Sequence, residues 1–281
     1  MIVAITGATG FIGTRLVRRL EGNEVRAISR RTGNVRDAVE GADAVVNLAG
    51  EPVSQRWNAE VKRRIRDSRI GTTQGVVEAI EAARKRPSVL VSASAIGYYG
   101  SRGDEVLTEQ SAPGSGFLSE VCIEWEREAQ VAVKLGVRVV PLRIGIVLGS
   151  GGGMLKSVLT PFKAGLGGRL GSGSQWMSWI HLDDLIEMIV FAIEGERLSG
   201  PVNGVAPHPV RNSEFTLSLA HAVHRPAVFP VPPFVLKVRF GEMADVILAS
   251  QRVLPEVAIG AGFQYRYPDL GEALAGSMIQ A

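Results

Sequence analysis

The chain holds a single cysteine, Cys122, in 281 residues. One thiol closes no intramolecular disulfide and builds no cysteine metal site, and this scarcity points to a reducing compartment, the cytoplasm. Long apolar runs are missing too: none reaches the roughly 18 residues that crossing a membrane takes, so no membrane partner is expected. An apolar strand pattern begins at Ile2 with no charged preface, so no signal peptide is expected either. Charge of one sign is also lacking. Lys and Arg number 31 against 28 Asp and Glu, a net charge of +3. The one basic stretch, 62–69, reads as a solvated helix face, and no nucleic-acid partner is expected. Disorder is excluded by a 46% hydrophobic and 21% charged composition.

Glycine is what the chain has in excess: 33 residues, well above the usual share of roughly 7%. There is no collagen period, so the surplus belongs to particular turns. The first follows Ile2-Val3-Ala4-Ile5, an apolar, partly β-branched run of the kind buried on both faces of a parallel sheet. It leads into Gly7-Ala8-Thr9-Gly10-Phe11-Ile12-Gly13, and Leu16, Val17 and Leu20 then follow at helical spacing. Strand, glycine turn, helix and a second strand at 24–29 form the setting in which backbone approaches a pyrophosphate and a helix N-terminus faces it. The spacing is G-x-x-G-x-x-G.

The residues after the second strand select the nucleotide. An acidic residue there would accept from a ribose 2′-hydroxyl and favour NAD. This chain reads Ser29-Arg30-Arg31, a hydroxyl and two guanidinium groups that suit a 2′-phosphate and favour NADP(H). Ordinary surface arginines are the alternative. Further buried strands are expected at 44–50, 88–94 and 137–142, with helices at 63–83 and 118–135 between them. This alternation predicts a doubly wound α/β fold with a parallel sheet over 1–150. Only 13 residues separate Arg31 from Val45, so the third strand is expected to be vestigial.

Several motifs resemble the extended short-chain dehydrogenase/reductases, the NAD-dependent epimerase/dehydratase superfamily. They are the glycine turn, Asn47-Leu48-Ala49-Gly50, Ser92-Ala93-Ser94 and Trp179-Ile180-His181-Leu182-Asp183-Asp184. The runs 47–53 and 147–153, Arg56-Trp57, Ser68-Arg69, Trp125-Glu126 and the tail from Pro232 to Pro255 narrow it further. Together they are similar to an epimerase-like subfamily with a short C-terminal domain of unassigned function. The resemblance implies a Rossmann-like core and a smaller substrate-side region at 151–281, whose appendage spans about 226–281, with some chain returning to the core. It also implies cofactor contacts at Gly7, Thr9, Gly10, Phe11, Ile12 and Gly13, at Ser29 and Arg30 with Arg31 beside them, and at Leu48, Ala49 and Gly50. Arg69, Arg64 on the same segment, and Val147 beside the nicotinamide complete the implied set.

The resemblance also says where catalysis should sit. Hydride-transfer members pair a Ser or Thr with Tyr-x-x-x-Lys, whose lysine prepares the tyrosine for proton exchange. Ser94 matches the hydroxyl, but Leu118 and Cys122 stand at the tyrosine and lysine positions. Tyr98 and Tyr99, just after the serine strand, are the replacement candidates; pocket lining or core is the alternative. Cys122 reads as a buried structural thiol, because no histidine partner is evident. Glu120 and Glu124 read as a solvated helix face, and the Asp183 and Asp184 carboxylates as capping groups. The four histidines show no metal-binding pattern. Glycines at 149–153 and 165–173 suit a lid, with Arg143, Lys156, Lys163 and Arg169 available for an anion. Residues 226–233 read as an extended connector, and the helices beyond it as substrate cover or a homodimer surface. Two functions stay open: an NADP(H)-dependent oxidoreductase or epimerase acting on an unknown small molecule, and a non-catalytic NADP(H)-binding sensor or scaffold.

Overall fold

The computed structural model describes residues 1–28 and 34–279. The first half runs β1 (Ile2–Thr6), α1 (Phe11–Arg19), β2 (Glu24–Ile28), α2 (Val35–Val39), β3 (Ala44–Asn47), α3 (Ala59–Ala82), β4 (Val89–Ala95), β5 (Val106–Leu107), α4 (Phe117–Gln130), β6 (Arg138–Ile144) and β7 (Ile146–Leu148). The second half runs α5 (Gly153–Lys163), β8 (Trp176–Met177), β9 (Trp179–His181), α6 (Leu182–Glu194), β10 (Val202–Gly204), β11 (Val210–Arg211), α7 (Asn212–Ala222), α8 (Pro233–Phe240), α9 (Met243–Ile247), β12 (Arg252–Val253), α10 (Glu256–Gly260) and α11 (Leu270–Ile279).

Six strands make one parallel sheet in the order β10-β6-β4-β3-β1-β2. Strand order reverses beside β1, and the crevice at such a switch point is where open α/β sheets bind ligands. Alternate strand residues serve opposite layers. Val3, Ile5, Val46, Val91 and Val140 pack with Leu16, Leu185 and Ile189 from α1 and α6. Ala4, Val45, Leu90 and Val139 meet Val39, Val76, Ile80 and Ala129 from α2, α3 and α4. Burial on both faces is why these strands are continuously apolar in sequence.

The short link after β2 does not shrink the third strand, contrary to expectation. β3 pairs with both β1 and β4 at four positions each, and the economy falls on α2, which has five residues. Helix α3 starts four residues earlier than expected, where the Asn58 side chain accepts from Val61 N at 2.8 Å.

The tail is tied to the core. β12 pairs with β5 in parallel register, Val253 opposite Leu107. Gln251 Nε2 donates to the Ile96 and Gly100 carbonyls at 2.8 and 2.9 Å. The 165–173 glycine loop is also bound rather than free. Phe229 N donates to Gly167 O, Val231 N to Arg169 O and Gly171 N to Val231 O, so the connector and the loop hold each other.

Candidate functional site

The crevice beside β1 is built by close backbone approach. Gly7 sits at φ +70°, and a Cβ there would lie 2.9 Å from the Leu48 carbonyl group. Only glycine lets the turn after β1 touch the end of β3 in that conformation. At Gly13 a Cβ would fall 2.1 Å from Gly7 O, so α1 seats its first turn directly on the glycine turn. Gly10 precedes α1 in extended conformation; no side chain caps the helix, and its first turn holds no acid. The N–H groups of that turn are thus left for an anion, and the helix dipole favours one.

The strand ends around this turn are fixed by a polar stitch that sequence reasoning missed. Thr6 Oγ1 donates to Asn47 Oδ1 at 2.6 Å and accepts from Leu48 N and Ala49 N. Asn47 Nδ2 donates to Thr73 Oγ1 at 2.8 Å, and Trp125 Nε1 donates to the same oxygen at 2.9 Å. The available signal was a polar residue at the end of each of two otherwise apolar strands. Ala8, Phe11, Ile12, Leu48 and Val147 are half-buried along the edge of the core and form an apolar floor beside the glycines.

Around this floor, Gly50 lies against Arg69, where a Cβ would stand 3.2 Å from the guanidinium carbon. Arg69 Nη1 donates to the Glu51 and Ile65 carbonyls, both at 3.0 Å, and so braces the loop after β3 from behind. Arg64 lines a neighbouring cleft of about 670 Å³ with Glu51, Arg63, Asp67 and Ser68. A second cleft of about 450 Å³ opens at the α1 N-terminus between Gly10, Phe11, Thr14 and the Ser150–Gly151 turn. Gly152 is pressed onto the Phe11 ring, where a Cβ would meet Cδ2 at 2.2 Å. The first glycine loop is therefore seated on the phosphate turn. Ser29, Arg30 and Arg31 lie outside the described residues.

The end of β4 and the side of α4 that faces it hold a buried polar cluster. Leu118, Cys122 and Glu126 follow each other at i, i+4 and i+8 on α4, so the ionisable group stands one turn beyond the lysine position. Ser94 Oγ donates to Glu126 Oε1 at 2.7 Å. Arg143, the register partner of Ser94 on β6, grips the same carboxylate with both arms, at 2.9 and 2.8 Å. Its Nη1 also donates to Tyr99 Oη at 2.9 Å, and that phenol donates to Asn203 Oδ1 at 2.7 Å. Ser94, Glu126, Arg143, Tyr99 and Asn203 are all buried.

These contacts sort the candidates. Tyr99 is fully buried with its hydroxyl engaged twice, and burial pushes it up to about 12. It is a core phenol. Tyr98 is half-buried, with the Arg143 guanidinium 3.5 Å above its ring. Arg143 does not serve a lid as expected. Burial works to lower it, but the hydrogen bonds and charge of Glu126 outweigh that and raise it above the ordinary arginine value. Cys122 is buried, and burial followed by the Glu126 charge pushes its thiol up to about 11. That suits packing, not nucleophilic attack. Glu124 pairs with Arg66 at 2.6 Å, and Glu120 is exposed.

At the start of α6 the cap is the histidine, not the carboxylates. His181 Nδ1 accepts from Asp183 N at 3.1 Å. Asp183 pairs with Arg15 of α1 at 2.8 Å, and Asp184 accepts from the Arg266 and Tyr267 amides. His181 is almost fully buried, and burial lowers it to about 4. Its neutral form in the fold therefore contributes stability that is present above the unfolded value near 6.5. That stability is lost as pH falls toward 4, about 3 kcal/mol in all. His181→Asn, which keeps a capping acceptor but does not titrate, is expected to flatten the denaturant-measured stability profile across this window. An unchanged slope would contradict the assignment.

Comparison with known proteins agrees with this geometry. Residues 3–203 match the NAD dependent epimerase/dehydratase family. The chain belongs to that family. Residues 231–276 match a domain of unknown function, DUF1731. An epimerase family protein SDR39U1 homolog of Arabidopsis thaliana, described as chloroplastic, is 43% identical over 99% of this chain and 87% of its own. Epimerase family protein YfhF of Bacillus subtilis is 38% identical over 98% and 97%. The crystal structure of human epimerase family protein SDR39U1 (isoform 2), which contains NADPH, is 36% identical and superposes over the whole of both chains with a TM-score of 0.95. Among the described residues, no helix is long and apolar enough to span a membrane and no cluster of His, Cys, Asp or Glu could hold a metal.

Proposed function

We propose that this protein is an NADP(H)-binding oxidoreductase or epimerase of small molecules, working in a reducing cytoplasmic compartment. The observation that carries the reading is the uncapped first turn of α1 seated on Gly7. It is supported by the NADPH in the human relative's structure. The first-turn amides from Phe11 to Gly13, with Thr9 and Gly10, hold the pyrophosphate. Ser29, Arg30 and Arg31 take the 2′-phosphate, and Leu48, Ala49 and Gly50 lie under the adenosine ribose. Arg69 and Arg64 steady that loop from α3, and Val147 packs at the nicotinamide end.

Bound cofactor supplies or accepts the hydride. The chain's own part is positioning and protons. Ser94 spends its proton on Glu126, so its lone pairs are what it offers a substrate: it accepts from a substrate hydroxyl. The Tyr98 phenol, under Arg143, is the group that exchanges a proton with the reacting oxygen. Leu118 and Cys122 favour the second reading, a non-catalytic NADP(H)-binding sensor or scaffold, since neither performs acid–base work at its position. A panel of carbonyl compounds and nucleotide sugars separates the two. NADPH consumption that falls about 100-fold or more in Tyr98→Phe, and clearly in Ser94→Ala, supports the enzyme. Tight NADPH binding with no turnover on any member supports the sensor.

A further inference from the structure

The C-terminal segment carries a helix that is apolar on both sides. With 3.6 residues per turn, or about 100° per residue, Phe234, Val235, Val238 and Arg239 of α8 share the side opposite Leu236 and Phe240. Leu236 is buried and Phe240 half-buried, whereas Phe234 and Val238 are 68% and 69% exposed. A second apolar side of α8 thus faces outward, held there by Arg56 Nη1 donating to Val238 O and Trp57 N donating to Phe240 O. The connector before it continues the pattern. Val228 and Phe229 are exposed, and Phe229 N bonds to Gly167 O next to exposed Leu166. Of nine phenylalanines, only Phe229 and Phe234 are exposed. An apolar face of this kind marks an interaction surface.

The charge around it is mostly positive. The chain has no acidic residue between Glu128 and Asp183, nor between Glu214 and Glu242, and this face is built from those two stretches. Exposed Lys163 and Arg225 sit side by side, Arg225 Nε donating to Lys163 O at 3.3 Å. Arg169 pairs its backbone with Val231, and Lys237 and Arg239 stand on α8 itself. The carboxylates that follow α8, Glu242 and Asp245, pair with Lys62 and Lys237, so the cations on this face with no carboxylate partner among the described residues are Lys163, Arg169, Arg225 and Arg239.

We propose that this face docks the protein on an anionic phospholipid surface. Phenyl and branched side chains spread over two elements, each flanked by a cation, match an interface in which apolar groups enter the headgroup boundary while Lys and Arg meet phosphates. A second copy fits less well, because a symmetric contact sets the same cations against each other. The expectation of no membrane partner rested on the missing spanning segment, which a peripheral contact does not need.

The test is sedimentation of the full chain with vesicles of phosphatidylglycerol and phosphatidylcholine in equal parts, and with vesicles of phosphatidylcholine alone. Binding to the anionic vesicles about tenfold or more above the neutral ones is expected, weakening with salt. Phe234→Ser with Val238→Ser, and separately Lys237→Glu with Arg239→Glu, are each expected to cost about tenfold or more. Circular dichroism and thermal midpoints like the wild type's confirm that both variants fold. The proposal is overturned if anionic vesicles sediment no protein, if both vesicle types bind equally, or if folded variants bind as the wild type does. A dimer in light scattering that Phe234→Ser with Val238→Ser dissolves would assign the face to a second copy instead.

Discussion

Glu126→Ala is expected to destabilise the protein by about 3–5 kcal/mol, because it strips the paired carboxylate from a buried guanidinium. Arg143 is almost wholly buried, and Glu126 receives two of its donors as well as the Ser94 hydroxyl. In the variant those donors lose their acceptor, and Arg143 keeps Tyr99 Oη, a long contact to Glu109 O and the Tyr98 ring. Removing both charges should cost less than removing one. Glu126→Ala combined with Arg143→Met is therefore expected to be more stable than Glu126→Ala alone, a non-additivity that a denaturant double-mutant cycle reads directly. If the single variant loses under about 1 kcal/mol, the pair does not hold this part of the core.

The second large effect falls on cofactor binding. Gly13→Ala adds one methyl where a Cβ would lie 2.1 Å from Gly7 O and 2.8 Å from Ala8 Cα. Both obstacles are backbone, so α1 has to move off the turn, and its first-turn amides leave the position that meets the pyrophosphate. NADPH affinity is expected to fall about 100-fold or more, close to 3 kcal/mol. The cost to stability is expected to be smaller, because Leu16 and Leu20 still bury the face of α1. Fluorescence titration of NADPH checks this. Retained affinity would mean that the close seating of α1 on Gly7 does not matter for binding.

Much of this was legible in the chain. The runs at Ile2, Val45 and Leu90 announce strands buried on both faces, and Gly7, Gly10 and Gly13 announce the turn because close backbone approach leaves no other residue type. Ser94 and the vacant tyrosine and lysine positions came from the resemblance to the family, not from any local rule. What escaped was assembled from distant parts. Glu126, Arg143, Tyr99 and Asn203 come from α4, β6, the turn after β4 and β10, and no spacing rule links them. Tyr98 and Tyr99 are neighbours whose opposite fates depend on which way one short turn points each ring. β5 and β12 are two residues each, too short for periodicity to register, so the resemblance implied chain returning to the core but nothing in the sequence placed the tie at these strands. Helix α8 reads in sequence as substrate cover or a homodimer surface, and its composition does not say which of its apolar residues, Phe234 and Val238 or Leu236, lie in water.

The turn after β1 is proposed to hold a dinucleotide carrying a 2′-phosphate. Parallel titrations of wild-type protein with NADPH and NADH test it most directly, with Arg30→Ala as the matched variant. The expected result is NADPH bound at least about tenfold more tightly than NADH, with most of that preference lost in Arg30→Ala. Equal wild-type affinities would contradict the 2′-phosphate assignment, and no binding of either nucleotide would contradict the site itself.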